Sequence, residues 1–110
     1  MTMLQASEIK QKFTQVEQAI GQASRSCQSG TQVSQELKQC IDQLDEKASR
    51  AHQVMQSNDQ SRMVQCVDEL ESLGDKARNA CRADGHADPQ LKAAVTKVHD
   101  ELSKLKHQLH

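Results

Sequence analysis

The side chains able to do chemistry here are four cysteines, Cys27, Cys40, Cys66 and Cys81, and five histidines, His52, His86, His99, His107 and His110. Thiols and imidazoles hold soft metals, exchange disulfides and accept transferred groups, and each task demands a spacing. The cysteines follow one another as C-x12-C, C-x25-C and C-x14-C. No C-x-x-C occurs, so neither a zinc ribbon nor a dithiol redox motif is written. One soft cluster survives. If the chain is a bundle of four helices, Cys27, Cys81 and His86 fall near one end and offer three ligands with an open fourth position. The competing expectation is that the cysteines are small buried hydrophobes.

Helix geometry opposes disulfides. Cys27 lies just before the first turn and Cys40 well beyond it, so their heights differ by about 12 Å. Bridged Cα atoms must lie within about 7 Å. Cys27 and Cys81 reach similar heights but on diagonal helices, whose axes are about 14 Å apart when neighbours are about 10 Å apart.

The histidines are expected on the surface. His99 follows Val98, and His107 lies two residues beyond Leu105, so both fall off the apolar stripe. No Glu precedes a His at the Glu-x-x-His spacing of di-iron bundles. His52 stands in Ala51-His52-Gln53-Val54-Met55-Gln56. In size and topology the chain resembles phosphotransfer bundles, which display a His on an exposed helix face, and that likeness implies a phosphoryl-accepting role for His52. Those domains generally place a Lys-Gly pair just after the His; Met55 and Gln56 stand there instead. The carboxylates, such as Asp42, Glu46 and Glu101, lie beside or opposite apolar positions and near Lys or Arg, as on solvated helix faces. No phosphate loop, nucleophile elbow or HExxH motif is present, so no enzyme activity and no cofactor is expected.

The elements that must position these residues are helices. Leu91, Val95, Val98, Leu102, Leu105 and Leu109 step by four, three, four, three and four residues, and Ile9, Phe13, Val16, Ile20, Ala23 and Cys27 do the same. Such seams mark helices packed nearly along one another. The second helix has a wider stripe, Val33, Leu37, Cys40, Ile41, Leu44, Ala48, Ala51, Val54 and Met55, suited to two neighbours. The third carries Met63, Val67, Leu70, Ala77 and Cys81, with Cys66, Leu73 and Ala80 alongside. Gly74 falls on its main stripe, which points to close approach of a neighbouring helix. Helices are expected over about 7–28, 31–56, 59–83 and 88–109. Gly30 closes the first, Thr31 caps the second, and Asp88-Pro89 opens the fourth. Three short turns make sequential helices antiparallel. The fold class is therefore all-α, an up-down-up-down four-helix bundle forming one domain over 1–110.

Composition narrows the function. Aromatic residues make up 1% of the chain, Phe13 alone, so the core must be aliphatic. The 14 basic and 15 acidic residues are well mixed, with no basic block for nucleic acid. No apolar run is long enough to span a membrane. The N-terminus lacks the pattern of a secretory signal, so a cytoplasmic location with reduced cysteines is expected. The function that fits is a small helical adaptor or chaperone-like module that binds another protein or a second copy of itself. A thiol- or metal-responsive bundle using Cys27, Cys81 and His86, and phosphotransfer through His52, are the alternatives.

Overall fold

The six seam residues Leu91, Val95, Val98, Leu102, Leu105 and Leu109 are all buried along one side of the last helix. So are Ile9, Phe13, Val16, Ile20, Ala23 and Cys27 along the first. A computed structural model describes residues 6–29, 33–57, 59–83 and 89–109. They form α1 (Ala6–Ser29), α2 (Gln35–Gln56), α3 (Gln60–Ala83) and α4 (Pro89–Leu109), and no strand occurs among the described residues. The chain runs up and down through a four-helix bundle. Each helix packs against two others, closing a square with sides α1–α2, α2–α3, α3–α4 and α4–α1. The core fills the middle, with Phe13, Ile9, Ile20, Leu37, Ile41, Leu44, Met63, Leu70 and Leu102 among its largest fully buried side chains. Burying one such side chain stabilises the fold by about 1.5–3 kcal/mol, and the inner stripes together supply the drive for association.

The ends of the helices follow local chemistry. Ser34 caps α2: its backbone is extended, and its hydroxyl accepts the Leu37 N–H at 3.2 Å. This corrects the expected start at 31. The helix begins at Gln35, and Val33, read as part of the helical stripe, precedes the cap while packing half-buried against the core. Ser34 provides the better stop because its oxygen reaches the third N–H of the helix, a donor that otherwise has no partner. Thr31 and Gly30 lie outside the described residues, as do His86 and Asp88.

Between α2 and α3, Ser57 closes one helix and Asp59 opens the next. The Ser57 hydroxyl and N–H both donate to the Val54 carbonyl, at 2.6 and 3.0 Å. The Asp59 carboxylate accepts the Arg62 N–H at 3.3 Å, and its carbonyl accepts the Met63 N–H at 3.0 Å. Together they turn the chain within a few residues and set α2 and α3 side by side.

His99 departs from the expected solvated surface. Its side chain is 13% exposed, with Nε2 3.6 Å from Asp75 and Nδ1 3.4 Å from Asp100. The cause is Gly74. With no side chain there, α3 approaches α4 closely, and a β-carbon at position 74 would stand 3.8 Å from the His99 Cα. A residue on the edge of the stripe is thereby covered by the neighbouring helix.

Candidate functional site

The expected thiol cluster is spread over two grooves. Cys27 is buried and lines a depression between α1 and α2 with Ser24, Gln28, Lys38 and Asp42. Cys81 is buried and lines one between α3 and α4 with Arg78, Arg82, Lys92, Val95 and Thr96. These grooves occupy opposite sides of the square, so the two thiols face different surfaces although their helices end together. His86 lies outside the described residues. None of the four cysteines forms a disulfide. Among the described residues, no three His, Cys, Asp or Glu side chains gather as a metal ion would need.

Burial also sets the character of the thiols. It pushes the Cys27 thiol up from its ordinary pKa, Lys38 pulls partly back, and Asp42 adds to the rise. Burial likewise raises Cys40, reinforced by Glu36 and opposed by Lys76. Cys66 rises for the same first reason, with Glu69 adding and Lys47 and Arg62 opposing. A raised thiol holds less of the reactive thiolate at neutral pH.

His52 is exposed on α2 and spans to α1. Its Nδ1 lies 3.2 Å from the Glu17 carboxylate, and its Nε2 lies 3.3 Å from the Gln56 amide nitrogen. With Nδ1–H donated to Glu17, Nε2 carries the lone pair and accepts from Gln56. Both ring nitrogens are thus engaged, and a phosphoryl donor would have to displace Gln56.

A further feature lies along the α2–α3 side. Besides their inner stripes, these helices carry an outer apolar line. On α2 it holds Cys40 and Val54, fourteen residues apart with Lys47 midway; on α3 it holds Cys66 and Leu73, seven apart. All four apolar members are half-buried against the core rather than enclosed by it. A spacing of seven returns to the same face of a helix. The two lines meet across the groove. Leu73 adjoins Gln43, Glu46, Lys47 and Arg50 of α2, and Cys40 adjoins Lys76, Asn79, Ala80 and Ala83 of α3. At the centre, Lys47 pairs with Glu69. The result is an apolar crest with a charged pair in its middle and Glu46–Arg50 on its flank at 2.7 Å.

The sequence held the signal for this crest. The second helix's stripe is wide, and Val33, Cys40 and Val54 are its partly covered members. None of the described helices is long and apolar enough to cross a membrane. Neither a known protein family, nor a curated protein sequence, nor a solved structure matches this chain.

Proposed function

We propose that this chain is a non-enzymatic protein-interaction module of adaptor or chaperone type, whose α2–α3 crest receives an amphipathic helix from a partner protein. The carrying observation is the outer line of Cys40, Val54, Cys66 and Leu73. The outer line leaves these side chains only partly covered, beside two depressions between α2 and α3. A partner helix with apolar residues at i, i+3 or i+4, and i+7 would cover it. The Lys47–Glu69 pair would set its register more than its affinity. A cytoplasmic setting accords with four cysteines that form no disulfide.

The substitutions Val54→Glu and Leu73→Glu test this reading. Both side chains pack against the core, so the test is read on variants that retain the helical circular dichroism, and each of these should abolish recovery of the partner from native cells. Unchanged recovery from both folded variants would refute it. Loss of a self-associated species instead would replace the partner by a second copy.

A further inference from the structure

We infer that the cleft between α3 and α4 is a binding site for a small phosphomonoester, held by Arg78, Arg82, Lys92 and Thr96. The cleft has a volume of about 270 Å³, and Cys81 and Val95 complete its lining. It lies on a different side of the bundle from the α2–α3 crest and does not depend on the interaction proposed there.

Three cations converge on this one cavity. Arg78 and Arg82 stand four residues apart on α3, Lys92 and Thr96 four apart on α4, so each helix turns a consecutive pair toward the other. The only carboxylate paired with any of the three among the described residues is Asp75, 3.4 Å from Arg78. That contact is long for a charged hydrogen bond. Arg78 Nε is closed to solvent and has no acceptor. Arg82 and Lys92 are exposed and form no ion pair with another described residue.

Arg82, in the last turn of α3, suits the helix dipole, but two features of the arrangement oppose folding. Like charges four residues apart on a helix repel. Lys92 is the fourth residue of α4, close to the positive end of the helix dipole, where a cation is unfavourable. A bound anion relieves both conflicts. Among the described residues, three cations offset by Asp75 leave two positive charges, and a phosphomonoester carries about −1.5 to −2 at neutral pH. The Arg82 fork matches a pair of phosphate oxygens, Arg78 and Lys92 supply charge, and the Thr96 hydroxyl donates to a further oxygen. The volume falls just under the range of ordinary ligand pockets, about 300–1,000 Å³. That size fits a phosphate with a short organic group.

The test is a titration of the whole folded chain, followed by amide NMR, with O-phosphoserine, inorganic phosphate and sulfate as separate probes. O-phosphoserine should give saturable shifts centred on residues 78–82 and 92–96, and bind more tightly than either inorganic ion. Arg82→Gln and Lys92→Gln, at exposed positions that leave the fold intact, should each weaken it about tenfold, the usual scale for one charged hydrogen bond. Added salt should weaken it further. Absence of saturable shifts, or an affinity unchanged in both variants, would overturn the site. Sulfate binding as tightly as O-phosphoserine would overturn the phosphomonoester assignment. Tighter binding of a phosphoserine peptide than of the free amino acid would overturn the small-molecule assignment.

Discussion

Gly74 of α3 stands so close to Leu102 of α4 that a β-carbon built on it would meet Leu102 Cδ1 at 3.2 Å. Leu102 is fully buried, so its side chain has little room to retreat. The contact fixes the spacing of α3 and α4, and with it the cover over His99. Gly21 of α1 provides the contrast, because a β-carbon there would find no neighbour within 4 Å. Gly21→Ala should therefore stabilise the protein by about 0.5–1 kcal/mol, the ordinary gain from replacing a helical glycine. Gly74→Ala should fall short of that gain, because part of it is spent displacing Leu102. Gly74→Val should destabilise by about 1–3 kcal/mol through overpacking. Urea unfolding of the three variants measures the order; a Gly74→Val protein as stable as the wild type would refute the close approach.

The raised thiols make a prediction about alkaline pH. Burial lets folded Cys27, Cys40 and Cys66 keep their protons to higher pH than the unfolded chain does. Their contribution to stability is fully present below the ordinary thiol range. As pH climbs from that range toward the raised folded values, the unfolded state has fewer protons bound, so stability falls. Urea midpoints should therefore decline on going from neutral to alkaline pH, and decline less in the Cys40→Ala, Cys66→Ala double variant. An equal decline in both proteins would rule out these thiols as the cause. At neutral pH, alkylation of the three should be slower in the folded chain than in urea.

The Glu17–His52 contact ties α1 to α2 across the surface, with the two side chains 32% and 55% exposed. Exposed pairs of this kind contribute about 0–1 kcal/mol. A double-mutant cycle on Glu17→Gln and His52→Ala should return a coupling below about 1 kcal/mol that fades at high salt. A larger coupling that salt does not alter would mean that the pair is organised for more than surface docking. If His52 accepts phosphoryl groups, a labile phosphohistidine will form with a suitable donor and vanish in His52→Ala.

Much of the architecture could be read from apolar spacing, and the exceptions have identifiable causes. The seams of α1 and α4 were legible because every member is enclosed. On α2, periodicity could not tell Leu37, Ile41 and Leu44, which are enclosed, from Cys40 and Val54, which stay half-buried. That division depends on where the neighbouring helices lie, and sequence spacing does not report it. The cap at Ser34 was hidden by Thr31, since two capping residues stood before the same stripe and only the tertiary placement of Val33 chose between them. His99 sits at the edge of its stripe, and its cover depends on how α3 lies against α4, which spacing along α4 does not report. Cys27 and Cys81 could be given similar heights from sequence, but their opposite grooves depend on rotation about each helix axis. The cation cluster of α3 and α4 left a trace in Arg78–Arg82 and Lys92–Thr96, legible only once the two helices face each other.

The central claim, that the α2–α3 crest receives a helix, is tested most directly by placing a photo-crosslinking residue at Leu73 in native cells and mapping the adduct by mass spectrometry. A second placement at exposed Gln18, on α1, serves as the reference. The account predicts an adduct from position 73 to one partner, with attachment sites spaced three, four or seven residues apart along a single helical segment, and none from position 18. No adduct from position 73, or the same adducts from both positions, would contradict it.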